Sequence, residues 1–378
     1  MMRLCFVGTL SSVHLQRWIR FFADAGYDVD VVTTHEPLTF AHPTVRVHVV
    51  PGVRLGRPAF TVLANTLLAA PRIFRLRTLF RQIRPDVVHA HYLNEGALFA
   101  LLTGVHPFVA TAWGSDVLIA PQASTAARLG LRLIARRADF LTCDARHVRD
   151  ALVRLGADPA RVHLTYFGTD VERFHPRRRD PALHDRFAPP GAPVVISLRR
   201  LAPVYDVGTL IAAVPLVLRE VPEAAFVLAG GGPEEAALRS LARTLGVSER
   251  VHFVGELAEE DLPAYLASSD IYVSTALSDG GLAASTAEAM ACAVPVIITD
   301  VADNGDWITA GDTGYLIPPR DVRALATQII DLAAHPEVRA SVGARGRRVI
   351  EERNNWRVEM GRVAALYDGL LRNPRLRA

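Results

Sequence analysis

Lysine is missing from the chain, so every member of its Lys+Arg total of 42 is arginine. The absence excludes Schiff-base chemistry and a Walker-type phosphate loop, both of which need an amine. Any phosphate must therefore be met by guanidinium groups, backbone N–H groups or helix N-termini. Biased codon usage in the source genome explains the absence itself. Cysteine is scarce: Cys5, Cys143 and Cys292 are scattered among apolar or small neighbours. An odd, sparse set argues against a disulfide framework or a zinc site and for a reducing compartment, so a cytoplasmic protein is expected. No apolar run approaches the roughly 20 residues of a membrane span. The start, MMRLCFVGTL, runs straight into a helical pattern and reads as a first strand, not a signal peptide. A net charge of +3 is too weak to argue for a nucleic-acid partner. No GxGxxG pattern follows the first strand, which counts against a dinucleotide-binding dehydrogenase.

What is present fits a large α/β enzyme. At 378 residues the chain exceeds one ordinary core, and two domains of usual size account for it. The rest is organised around residues 278–296, SDGGLAASTAEAMACAVPV. Upstream, 270–274 (DIYVS) reads as a short buried strand; Asp279, Gly280 and Gly281 form a turn; 287–292 is helix material; 294–298 is a second buried strand. Strand, glycine loop, helix and strand make a βαβ unit whose acids and glycines lie at the strand's C-terminal edge. Ligands sit at that edge in open parallel sheets, and the helix N-terminus behind it favours phosphate. Carboxylates beside bare backbone N–H groups suit a sugar joined to a diphosphate. An ordinary βα loop without a ligand is the plainer reading of the stretch taken alone.

The stretch resembles the loop of the family 4 retaining glycosyltransferases, which have the GT-B fold of two Rossmann-like domains facing across a cleft. EAMACAVPVI is close to the family's form and places Glu288 at the second acidic position of a two-glutamate motif, which in the family binds the donor's ribose. Gly280 stands at the first position. Asp279, just before it, is taken to do that glutamate's work in a longer loop. The resemblance covers nearly the whole chain. It implies a first, acceptor-binding domain over 1–176, a linker over 177–193, and a nucleotide-sugar-binding domain over 194–355. A helix from 356–378 then returns to the first domain.

In the first half, 3–8, 13–26 and 27–33 read as strand, helix and strand, with Gly8 and Thr9 in the loop that the family sets opposite the donor phosphates. Residues 71–84, PRIFRLRTLFRQIR, form a basic helix with an apolar stripe of Ile73, Leu76, Phe80 and Ile83. The stripe either packs on the sheet or lets the helix attach to an anionic membrane. PDVVHAH (85–91) matches the family closely, with His89 structural and His91, Tyr92, Asn94 and Glu95 at the rim of the acceptor site. After the strand 108–111, Trp113 takes the place of a family histidine near the reacting sugar carbon. Asp116 then orients an acceptor hydroxyl or takes its proton, or else caps the helix that follows.

In the second half, Arg200 matches the family arginine that clamps the leaving diphosphate, while Tyr205 stands where a lysine is usual and Arg199 is a substitute charge. Gly230, Gly231 and Gly232 make a tight turn near the donor. Backbone groups of Gly255, Glu256 and Leu257 fall in the base-recognition segment. From the organising loop, Gly280, Gly281, Leu282, Ala284 and Ser285 join Asp279 and Glu288 as donor-binding positions. The resemblance thus implies a retaining, metal-independent glycosyltransferase. Its co-substrate is a UDP- or GDP-linked sugar, with no further cofactor, and it acts on an acceptor hydroxyl in glycan, glycolipid or natural-product synthesis. Two other classes stay open: a GT-B-fold sugar-nucleotide epimerase, and an idle nucleotide-sugar-binding protein, to which the departures at Asp279, Tyr205 and Trp113 point.

Overall fold

The computed structural model describes residues 1–33, 40–50, 62–166, 168–279 and 281–372; Gly280 lies outside them. The chain divides into two compact units, Met1–Phe167 with Val358–Ala378, and Gly168–Arg357. The division falls earlier than the boundary expected at 176. Residues 177–193 are also not an open linker: they carry the single turn Pro176–Arg178 and the helix Pro181–Asp185. Their Arg, Asp and Pro content is what a helix start demands. Asp180 accepts the Ala182 N–H and Pro181 sits in the first turn. His184 then buries itself against Asp270 at 3.0 Å.

Each unit is one parallel sheet. The first contains β1 (Arg3–Val7), β2 (Asp28–Thr33), β3 (Val45–Val49), β4 (Val87–His91), β5 (Phe108–Ala112), β6 (Phe140–Cys143) and β7 (Val162–Leu164), in the order β3-β2-β1-β4-β5-β6-β7. The second contains β8 (Val194–Ser197), β9 (Ala225–Ala229), β10 (Val251–Gly255), β11 (Ile271–Ser274), β12 (Val296–Thr299) and β13 (Tyr315–Ile317), in the order β10-β9-β8-β11-β12-β13. β4, β5, β8, β9, β11 and β12 are buried at every position, as expected of strands covered on both faces. In both sheets the order reverses once, between β1 and β4 and between β8 and β11. At such a reversal the loops leaving the two strands diverge and open a crevice at their C-terminal ends.

Helical spacing explains the layers. In Val13–Asp24, Leu15, Trp18, Ile19, Phe22 and Ala23 turn inward, and Ser12 caps the start. The basic helix runs over Val62–Ile83, so Pro71 lies inside it instead of opening it. Its stripe faces the core: Leu76, Phe80 and Ile83 are buried and Ile73 packs beside them. The stripe is therefore not available to a membrane. Trp356–Arg372 belongs with the first unit from Val358 onward, where the Tyr367 hydroxyl lies 2.5 Å from His89 Nδ1. The other nitrogen of His89 meets Thr111 Oγ1 at 2.6 Å, and burial lowers its pKa to about 3. His89 is thus a neutral structural imidazole.

Candidate active site

The reversal point of the second sheet brings together the loops after β8 and β11. Arg199 and Arg200, adjacent in sequence, have opposite surroundings. Arg199 is buried, its Nη2 lies 2.5 Å from Asp279 Oδ1, and its guanidinium stacks over the Tyr205 ring at 4.5 Å. Burial opposes its charge, but Tyr272, Asp279 and Tyr205 more than offset this and leave its pKa raised. Burial lifts the Asp279 carboxyl above its ordinary range while Arg199 draws it back. Arg199 itself stays protonated and donates to the Asp279 carboxyl. Arg200 points outward, and its side chain makes no hydrogen bond or ion pair among the described residues.

The triple glycine holds this loop from below. A Cβ on Gly230 would lie 2.4 Å from the Arg199 carbonyl oxygen, and one on Gly232 would lie 2.2 Å from that of Leu201. Only bare backbone fits there. Gly230 also donates to the Gly255 carbonyl at 2.8 Å, which ties in the turn of Gly255, Glu256 and Leu257. Gly255 has φ +75°, Glu256 is exposed with its carboxylate over Gly231, and Leu257 is half-buried.

Past Asp279, Gly281 takes φ +152° and Leu282 is half-buried. The helix then spans Ala284–Ala291, starting a turn earlier than expected and taking Ala284, Ser285 and Thr286 into its first turn. Small polar residues satisfy loop and helix alike, so the sequence marks that start poorly. Ala283 at the N-cap offers no side-chain acceptor, so no side chain caps the first-turn N–H groups. Glu288 follows one turn on and is half-buried.

In the first unit, Gly8 donates to Val32 and a Cβ there would meet Leu15 at 2.6 Å; Thr9 accepts from the Ser12 N–H. His91 ends β4 buried, edge-on to Trp18 at 4.8 Å, with neither ring nitrogen hydrogen-bonded among the described residues. Burial, with help from His89 and His14, keeps its pKa well below 6.5. Tyr92 adopts φ +77° and its hydroxyl meets Ser115 Oγ at 2.7 Å. Asn94 caps the helix Glu95–Leu102, accepting from Gly96 and Ala97, so its amide oxygen is committed to the fold. Trp113 is half-buried and stacks on His14 at 4.8 Å. His14, whose pKa burial and Arg17 lower to about 4, was missed from the sequence although it follows the first loop directly.

Asp116 is corrected. It is 1% exposed, and its carboxylate accepts the N–H groups of Leu93 at 2.8 Å and Trp113 at 3.1 Å. It joins the loops after β4 and β5, which commits the carboxylate to backbone N–H groups. Its pKa is pushed up to about 6, burial acting against the ionised form and the backbone N–H groups for it. Above the ordinary value of 3.8 and up to about 6, the folded chain keeps a proton that the unfolded chain has released. Raising the pH through this window thus removes stability, on the order of 3 kcal/mol. Asp116→Asn abolishes the dependence. The stability difference, wild type minus variant, is expected to fall between about pH 4 and about pH 6 in urea titrations and then level off. A difference that stays level or rises across the window refutes the assignment.

Among the described residues no group of three or more His, Cys, Asp or Glu is placed to hold a metal ion, and no helix is long and apolar enough to cross a membrane.

Two parallel sheets of this order, each with its crevice at the reversal point, define the GT-B architecture of glycosyltransferases. Sucrose-phosphate synthase of Thermosynechococcus elongatus shares it, with a TM-score of 0.76 at 19% identity over 98% of this chain and 99% of that one. So does Anabaena HepE, solved with UDP, with a TM-score of 0.78 at 19% identity over 98% of this chain and 100% of that one. Residues 3–145 match the family described as Glycosyl transferase 4-like, and residues 181–349 match Glycosyl transferases group 1. The chain is 32% identical over 337 residues to a GDP-mannose-dependent alpha-(1-6)-phosphatidylinositol monomannoside mannosyltransferase of Mycolicibacterium smegmatis, covering 84% of this chain and 85% of that enzyme. It is 28% identical over 363 residues to D-inositol 3-phosphate glycosyltransferase 2 of Catenulispora acidiphila, covering 88% of this chain and 83% of that enzyme. The chain belongs to the GT-B glycosyltransferases of the group 1 and 4-like families. It is an enzyme that uses a nucleotide sugar as co-substrate.

Proposed function

We propose that this glycosyltransferase moves a hexosyl group to an acceptor hydroxyl with retention of anomeric configuration, and that SDGG…STAEAMAC is its form of the two-glutamate motif. One observation carries the reading: at the second sheet's reversal point an exposed Arg200, unpaired among the described residues, accompanies a helix start whose N-cap, Ala283, offers no side-chain acceptor. Breaking the glycosidic bond leaves negative charge on the departing diphosphate. Preorganised donors answer that charge: the Arg200 guanidinium and the backbone N–H groups of Gly281, Leu282, Ala284 and Ser285. Glu288 accepts from the donor's ribose, and Asp279, oriented by Arg199, accepts from the sugar. Gly255, Glu256 and Leu257 meet the base through backbone groups. The acceptor side draws on Tyr92, Trp113 and His91, with Asp116 and Asn94 holding their loops. No side chain is assigned as a covalent nucleophile, so departure and attack take place on one face of the sugar. A GDP-linked hexose heads the donors to be tried, because the mannosyltransferase relative is named for GDP-mannose. The same name includes a phosphatidylinositol acceptor. Should the acceptor here be lipid-linked, contact with an anionic surface falls to Arg75, Arg77, Arg81 and the exposed Phe74, since the apolar stripe is buried.

The test is the melting temperature with GDP, UDP and their sugar conjugates. A ligand at a hundred times its Kd stabilises the folded state by about 2.7 kcal/mol. One base is expected to raise the melting temperature, and proton NMR of the product should show the donor's anomer. Folded protein that no nucleotide stabilises refutes the donor site, and the opposite anomer refutes retention.

A further inference from the structure

We propose that Tyr272 is a positioning residue for the donor's diphosphate, aiming the hydroxyl hydrogen of Ser285 at a phosphate oxygen. This rests on the donor site proposed above and adds to it a residue that no sequence motif marks. Tyr272 lies in β11, a strand beside the reversal point, and its side chain is fully buried. For packing alone a phenylalanine would serve, since a buried hydroxyl costs free energy unless it is hydrogen-bonded. Here the phenol is partnered on the helix that opens the site. Its oxygen lies 2.8 Å from Ser285 Oγ and accepts from Thr286 Oγ1 at 3.5 Å.

The direction of the chain follows from what each group has left. Thr286 is 1% exposed and donates to the Tyr272 oxygen. The phenol keeps its own proton, because burial raises its pKa above the ordinary 10. With Thr286 donating to the phenol oxygen, the phenol's own hydrogen goes to the nearer hydroxyl, Ser285 Oγ at 2.8 Å. Ser285 then accepts, and its own hydrogen is uncommitted. It sits in the first turn of the helix, where Ala283 supplies no side-chain cap. The Ser285 hydroxyl and the backbone N–H groups of this first turn therefore donate together, which suits an acceptor-only group such as a diphosphate. Hydrogen bonds in series polarise one another, so the Thr286–Tyr272–Ser285 sequence strengthens the last donor. Arg199 adds positive potential nearby, which draws the phenol's pKa down against the larger effect of burial.

The experiment uses the full chain and calorimetric titration with GDP and UDP, with guanosine and uridine as phosphate-free competitors. Ser285→Ala and Tyr272→Phe are each expected to weaken the bound diphosphate about tenfold, as loss of a hydrogen bond to a charged group does. The double variant should bind no more weakly than Ser285→Ala, and nucleoside affinity should not move in any variant. Thr286→Val should show a smaller loss in the same direction. Additive losses, or an equal loss for the nucleosides, assign Tyr272 a merely structural role and overturn the proposal. Unchanged diphosphate binding in Ser285→Ala, which alters a half-buried position, overturns it even if Tyr272→Phe folds poorly. Wild-type protein that binds neither diphosphate overturns the donor site itself, a result distinct from the others.

Discussion

Arg200→Ala is expected to lower kcat/KM by about a hundredfold or more while leaving the free protein as stable as before. The side chain is exposed and has no hydrogen bond or ion pair among the described residues, so its removal breaks no contact of the fold. Surface changes of that kind stay within about 0.5 kcal/mol. Its contribution belongs to the transition state, where charge grows on the leaving diphosphate. Removing one preorganised donor from such a site costs about 10²–10³ in rate. Arg200→Lys separates charge from geometry: the ammonium keeps the charge but loses the planar fork, so partial activity should return. The measurements are steady-state kinetics with the donor identified by thermal shift, and urea midpoints for stability. Full activity in Arg200→Ala would remove it from the site. A large loss of stability would make it a structural residue instead.

Arg199→Met is expected to destabilise the protein by about 3 kcal/mol, because it leaves the half-buried Asp279 carboxylate without its partner. The Tyr205 ring loses its stacked cation as well. Replacing both members, as in Arg199→Met with Asp279→Leu, should recover much of that stability, since paired apolar groups need no charge solvation. It should not recover activity, because Asp279 is proposed to accept from the sugar. Urea midpoints of the two single variants and the double variant form the cycle that isolates the pair. A loss below about 1 kcal/mol for Arg199→Met would mean that water reaches the pair and that it behaves as a surface ion pair. The two neighbouring arginines thus make opposite predictions, one kinetic and one thermodynamic.

Much was legible in the order of residues alone. Apolar runs of strand length alternating with helical stripes called for parallel sheets, and both sheets are parallel throughout their described pairings. Such patterns are local: burial on both faces of a strand is written as an unbroken apolar run, and burial on one face of a helix at every third or fourth residue. The same locality put the two arginines just after β8 and Glu288 on the helix that follows β11, where the fold leaves them.

What the sequence could not decide was the direction and company of individual side chains. It favoured Arg200 over Arg199 by resemblance, but only the tertiary structure shows one exposed and the other paired with Asp279, 80 residues away. It offered Asp116 to the acceptor, and the structure turns that carboxylate inward to Leu93 and Trp113. It set Asn94 on a rim, and the structure makes it a helix cap. Tyr272 read as one apolar strand residue among others until the helix Ala284–Ala291 placed Ser285 and Thr286 against its hydroxyl. At a strand's C-terminal end, backbone periodicity stops dictating which way a polar group points. The partner that settles it arrives from elsewhere in the chain, and the free energy of pairing a buried charge or hydroxyl selects the direction.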